Sequence, residues 1–402
     1  SVMATPLPTY GFDYSLVRNP DIDTAYNALI TYVIPGSPAA QAGLERGDWI
    51  MKVDTSYISK KYETYLLQGT KAVKLTLGEW KEVEIEDEED GNEGGDGEDE
   101  GPMMEYRVVP IDDPVEMPAA QIVEDNPVHK YEIIESPVKK IRVGYLMYNS
   151  FTAGTKAEPE KYNNELRSVS QKFKEAGVQA VILGLRYNEG GSMDCVQLLG
   201  TILTSADRLG EPMAYLEYND KNTDKDATIL FGTDREINLN LHSLIAITSG
   251  TTMGAPEMLI RSLFLEDTYP IATVGSSTKG QNVATEQFIN EEFLWSVNPV
   301  VCTVYNSQHD TYGAISPATD LKVSETTIDG STNYSEFLPF GTFDKDGKSE
   351  RLLKIAIGVL DGTYPPKDDE TPEESTTQTR FKVEKSVSSP ASRRFSSKGL
   401  RL

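Results

Sequence analysis

Short apolar runs alternate with stretches of helical apolar spacing along most of the chain, which predicts a mixed α/β protein. Thr31 to Ile34 read as a strand, Pro35-Gly36-Ser37 as a turn, and Pro38 to Ala42 as a short helix ended by Gly43. Gly47-Asp48 then turn the chain into a strand, Trp49 to Val53. Lys74 to Val83 and Glu105 to Val109 extend the same sheet. A second series begins near Val128. Lys140 to Tyr148 is a strand, and Glu158 to Ala176 an amphipathic helix with Tyr162, Leu166, Val169 and Phe173 on one face. Gln179 to Leu185 is a buried strand, Arg186 to Gly191 a loop, and Met193 to Leu203 a helix. Leu244 to Ile247, a helix over Ala255 to Phe264, and the strand Ile271 to Gly275 continue the series. Strands separated by helices predict parallel pairing.

After Glu325 this pattern weakens. Asp361 to Thr379 is rich in Pro, Thr and acid and is expected to lack regular structure. From Arg380 the chain turns basic. Phe381, Val383 and Val387 suggest an edge strand that docks on the acidic body of the protein.

Composition narrows the function. A length of 402 residues exceeds one simple core, so two domains with tails are expected. The formal net charge of −25 argues against nucleic acid and against anionic membrane surfaces. No apolar run reaches the ~18 residues of a membrane-spanning helix. Acid is dense in Glu84 to Pro102, whose spacing departs from a calcium loop and reads as a solvated insertion. The two cysteines, Cys195 and Cys302, read as buried free thiols, and the histidines His129, His242 and His309 are far apart in sequence. No metal site and no cofactor are expected.

The richest stretch for chemistry is SLIAITSGTTMGAPE, Ser243 to Glu257. A strand, a turn broken by Ser249 and Gly250, and a helix start aim backbone N–H groups at one point, which suits an oxyanion. The turn carries Gly254 where a nucleophile is expected.

Two resemblances follow from the motifs. The segment SPAAQAGLERGDWI resembles a PDZ domain, a module that binds peptides by strand addition. Tyr10-Gly11-Phe12 would then match the loop that holds a peptide's terminal carboxylate. Taken with LGLRYNEGG (Leu183 to Gly191), GTTMGAPE (Gly250 to Glu257) and VGSSTKGQNV (Val274 to Val283), the chain resembles the tail-specific, or C-terminal processing, serine proteases. The resemblance runs from about Tyr10 to Val323. It implies a PDZ-like domain followed by a crotonase-like α/β protease core (α+β overall) and a Ser–Lys dyad.

On that resemblance the segments divide as follows. Residues 1–24 form an N-terminal extended segment and 25–112 the PDZ-like domain with its acidic insertion at 84–102. Residues 113–127 form a linker, 128–345 the protease-like core, and 346–402 an extension containing the linker 361–379 and the basic tail.

Residue by residue, the family's L-D-L-R-x-N-x-G-G loop is matched by Leu183, Leu185, Arg186, Asn188, Gly190 and Gly191, with Gly184 in place of the acid. Gly190, Gly191 and Ala255 are the candidate oxyanion donors. The motif T-A-S-A-S-E reads Thr252-Met253-Gly254-Ala255-Pro256-Glu257, which puts Gly254 at the nucleophile position. The motif G-E-x-T-x-G-K-x-V places Gln281 at the general-base position. Glycine carries no nucleophile, and the glutamine amide is no base near neutral pH.

The leading expectation is therefore a family member that binds peptides or protein C-termini without the usual dyad. The alternative is an active serine-type peptidase with a shifted dyad, using Lys279 with Thr252, Thr251 or Ser249. A third reading is a rigid structural protein of the cell envelope. The family resemblance implies an exported, periplasmic or envelope-associated protein, with no leader visible in this chain.

Overall fold

The computed structural model describes residues 7–85, 103–290, 292, 295–323, 327–328, 331–332, 337–344, 348–365, 383–388 and 398–402. The expected acidic insertion lies almost wholly outside these residues, as do the linker beyond Pro365's immediate neighbourhood and Phe381.

The first sheet is antiparallel and built from β1 (Phe12–Arg18), β2 (Tyr26–Val33), β3 (Trp49–Val53), β4 (Val73–Ile85) and β5 (Met103–Pro110) in that spatial order. The short helix α1 (Pro38–Gln41) follows β2. The Ser37 hydroxyl caps it by accepting the Ala40 N–H at 3.2 Å, and Pro38 occupies the first turn, where its missing N–H is harmless. Helix α2 (Glu63–Leu67) lies beside the sheet. Alternate residues of β1, including Phe12, Tyr14 and Leu16, enter one apolar core with Ala28, Ile30, Ile50 and Leu67.

The second sheet carries the predicted parallel order. It runs Ile271–Gly275, Leu244–Thr248, Ala180–Gly184, Arg142–Tyr148, with antiparallel Val128–Glu135 at the far edge. Both faces are covered, which explains the continuous apolar runs. Val181 and Leu183 face one core with the helices Lys161–Glu175, Met193–Leu203 and Ala255–Leu263, while Ile182, Ile245 and Ile247 face the other. That second face is covered by α3 (Arg351–Asp361), through Leu352, Leu353, Ala356 and Ile357. The weak sequence pattern after Glu325 gave no warning of this helix. Its apolar spacing is regular, but it stands beyond an irregular, polar stretch. Gly362, with φ +74°, ends it.

A third sheet has six strands. Its order is Gly190–Ser192, Gly399–Arg401, Val283–Thr285, Val300–Tyr305, Pro212–Tyr218, Ala227–Leu230. The expected tail strand is present as Val383–Val387, paired antiparallel with β1. A second tail strand, Gly399–Arg401, was not foreseen. Cys195 and Cys302 are free and buried. Among the described residues no group of His, Cys, Asp and Glu is placed to hold a metal ion, and no helix is long and apolar enough to cross a membrane.

Candidate active-site cleft

The parallel strand Leu244–Thr248 delivers the turn to the sheet's carboxyl edge, and the helix Ala255–Leu263 leaves from it. Gly254 sits at the helix N-cap with φ +71° and ψ −101°, a conformation that strains any residue with a side chain. Ala255 opens the helix, so its N–H is one of the orphan donors of the first turn. Asn188, fully buried, donates to the Tyr148 carbonyl at 2.9 Å and accepts the Gly190 N–H at 3.1 Å, which fixes the Gly190–Gly191 turn. The Met253 N–H reaches the Asn188 carbonyl at 3.2 Å and joins the two turns. Gly190, Gly191, Gly254 and Ala255 thus belong to one locality, as the motif alignment requires.

The buried carboxylate of Glu257 ties this turn to the loop that carries Thr278, Gly280 and Gln281. It accepts the Gly254 N–H at 2.8 Å, the Gln281 N–H at 2.9 Å, the Gly280 N–H at 2.5 Å and the Thr278 hydroxyl. The bond to Gly254 is the reciprocal half of a capping box, in which the N3 glutamate holds the N-cap N–H. The only signal in the sequence for the role of Glu257 is its place at the end of the T-A-S-A-S-E motif. Arg186 is held by a second buried carboxylate. Its guanidinium meets Glu350 at 2.7 and 3.3 Å, with both side chains 1% exposed. The Arg186 carbonyl in turn accepts the hydroxyls of Thr251, at 2.9 Å, and Ser249.

The residues of the expected shifted dyad make the following contacts. Thr252 is fully buried and its hydroxyl donates to the Leu185 carbonyl at 2.9 Å. Lys279 is exposed, and the two residues meet through the backbone, Lys279 N–H to Thr252 carbonyl at 3.0 Å. Ser249 and Thr251 share a hydrogen bond at 3.0 Å and point at the Arg186 carbonyl. Cys195 is no substitute nucleophile, because burial pushes its thiol up to about 11.

The cleft is filled by the chain's own last residues. Gly399 pairs with Gly190, and Leu400 with Gly191, in parallel register, and the Gly399 N–H donates to the Glu189 carbonyl at 2.7 Å. On its other side Leu400 pairs with Ala284, and the Thr285 hydroxyl donates to the Leu400 carbonyl at 3.1 Å. Three glycines meet here with no room for a side chain. A Cβ on Gly254 would lie 2.4 Å from the Gly399 carbonyl carbon, one on Gly190 would lie 1.8 Å from the Gly399 oxygen, and one on Gly399 would lie 2.3 Å from Gln281 Oε1. The Gly399–Leu400 peptide therefore rests where the nucleophile and base positions converge.

Beside the first sheet, Gly11, with φ +84°, approaches Ser37 so closely that a Cβ would lie 2.3 Å from the Ser37 Cβ. The carbonyls of Tyr10 and Gly11 accept the N–H groups of Ala39 and Ile34, at 2.9 and 2.8 Å. Phe12 then begins β1, so Tyr10-Gly11-Phe12 forms a loop fixed against α1 at the head of that strand.

Comparison with known proteins agrees with this architecture. A PDZ-domain family profile matches residues 29–76, and a profile for peptidase family S41 matches residues 142–297. A crystal structure described as a putative S41 protease from Bacteroides fragilis NCTC 9343 is 39% identical, with a TM-score of 0.74, and the match covers 90% of this chain and 85% of that one. The chain is a PDZ-bearing member of peptidase family S41. The photosystem II D1 C-terminal processing protease also matches, at 16% identity over 80% of this chain and 74% of that one, but its TM-score of 0.41 supports no residue-level comparison. No curated protein matches the chain.

Proposed function

We propose that this S41-family chain binds extended peptides or protein C-termini and does not hydrolyse them by the family's Ser–Lys dyad. The observation that carries the reading is Gly254, a residue without a nucleophile, facing Gln281 across the Gly399–Leu400 peptide. The Gly190–Gly191 turn, whose Gly190 N–H is taken by Asn188, already pairs with one strand, which supports strand binding in the same cleft. The glycine loop ahead of β1 supports peptide capture by the PDZ unit. The exposure of Lys279 and the inward bond of Thr252 weigh against the shifted dyad.

The test is turnover of a fluorogenic peptide library by the wild-type chain and by Lys279→Ala and Thr252→Ala variants. Each is also assayed as Gly399→Leu, which removes the tail from the cleft. No turnover is expected in any of them. Hydrolysis that disappears with Lys279→Ala would overturn the reading. An extracytoplasmic location is proposed with it, on family resemblance alone, and cell fractionation tests that part.

A further inference from the structure

The edge of β1 is not open. Val383–Val387 pairs along it, with Tyr14 against Val387, Ser15 against Ser386 and Leu16 against Lys385. The two serine hydroxyls meet at 2.9 Å, and Val387 packs on the apolar core of the first sheet. This strand lies beside α2, and its Lys385 reaches the first residue of that helix. The Lys385 ammonium donates to both oxygens of Glu63, each at 2.9 Å. The Glu63 side chain is only 2% exposed, whereas that of Lys385 is 49% exposed. The remaining contacts of the carboxylate are neutral hydroxyls, from Tyr14 at 3.2 Å and Thr64 at 3.0 Å. A carboxylate so deeply buried needs an opposite charge, because removing it from water without one is costly. The body of the first sheet supplies the acid, and the added strand supplies the cation. At the strand's outer side, Glu384 meets Lys60 at 2.8 Å.

We propose that Val383–Val387 is a resident strand ligand of the PDZ unit, and that Glu63 sets the groove's specificity for an extended peptide bearing lysine or arginine. The same segment of chain continues into the cleft, where Gly399–Arg401 lies against the Gly190–Gly191 turn. The two sites are therefore filled by one tail, and a peptide from another molecule binds the groove only in exchange for it. This builds on the peptide-binding part of the function proposed above and is independent of the loss of the dyad. The ligand chemistry is an apolar residue followed by an acidic residue, a basic residue, a small polar residue and a second apolar one, as Val383 to Val387 read.

The experiment uses the full chain and its Lys385→Glu variant. The Lys385 side chain is half exposed, so the substitution leaves the fold intact, as a cooperative melt will verify. Two quantities are read: hydrogen exchange of the amides of residues 14–17 and 383–387, and anisotropy of a fluorescein-labelled synthetic peptide of residues 381–389. In the variant, exchange at both strands is expected to rise at least tenfold, and the labelled peptide is expected to bind at least tenfold more tightly than to the wild-type chain. The same peptide with glutamate in place of its lysine is expected not to bind. Unchanged exchange would overturn the inference and leave the proposed function standing. Released strands that still bind no peptide would overturn both. Equal binding of the lysine and glutamate peptides would remove Glu63 as the specificity residue.

Discussion

The Glu257 carboxylate accepts the backbone N–H of Gly254 at 2.8 Å, with both residues buried. Through the same group it holds the N–H groups of Gly280 and Gln281 and the Thr278 hydroxyl. One side chain thereby fixes the distance between the Gly254 turn and the Thr278–Gln281 loop. Replacing Glu257 with Gln turns one acceptor into a donor that faces backbone N–H groups. A loss of about 1–3 kcal/mol in unfolding free energy is expected, with an unchanged urea m-value. A loss below about 0.5 kcal/mol, the range of ordinary surface substitutions, would mean that the loops are held elsewhere.

Restoring a serine at Gly254 alone is expected to damage the protein without creating a peptidase. Its Cβ would sit 2.4 Å from the Gly399 carbonyl carbon, on a backbone with φ +71°. Backbone strain alone is expected to cost about 1–3 kcal/mol, and the tail must leave the cleft. The readout is hydrogen exchange at residues 190–192 and 399–401 beside a thermal melt. Gly254→Ser with undiminished protection of both strands would contradict the packing described.

Arg186 and Glu350 form an ion pair fully withdrawn from water, 164 residues apart in sequence. Glu350→Gln is expected to destabilise the fold by about 3–5 kcal/mol, because a buried guanidinium is left without its anion. Arg186→Met combined with Glu350→Leu should lose much less, since no charge is then stranded. A double-mutant cycle in urea measures the difference, and purely additive losses would show that the pair is not coupled.

The buried thiols give a pH signature. Burial pushes Cys195 and Cys302 up to about 11. The native thiolate at pH 8 is then about a hundredfold scarcer than that of an exposed cysteine. Native protein should resist a thiol-specific disulfide reagent for hours at pH 8 and react at once in denaturant. Raising the pH should also weaken the fold between about 9 and 11. In that window the unfolded chain has released its thiol protons and the folded chain has not. Rapid native labelling of either cysteine would disprove their burial.

The elements whose signal is local were legible in the sequence. The strand Trp49–Val53, the helix Met193–Leu203 and the strand Ile271–Gly275 fall where apolar periodicity and turn residues place them. Gly254, Gln281, Gly190 and Gly191 likewise stand in segments that turn residues mark in the sequence. Periodicity failed at Arg351–Asp361, where a regular helix follows an irregular stretch and declares itself only by covering the second face of the parallel sheet.

Only the tertiary structure decided which charges and strands meet. Glu63 with Lys385, Arg186 with Glu350, and Gly190 with Gly399 are joined across hundreds of residues. Their partners are chosen by how sheets stack and tails thread, which no local spacing encodes. The sequence could therefore name Gly254 and Gln281 as the residues of two turns. Packing alone reveals that the chain's own tail lies between them, because only three side-chain-free residues can cross at that distance.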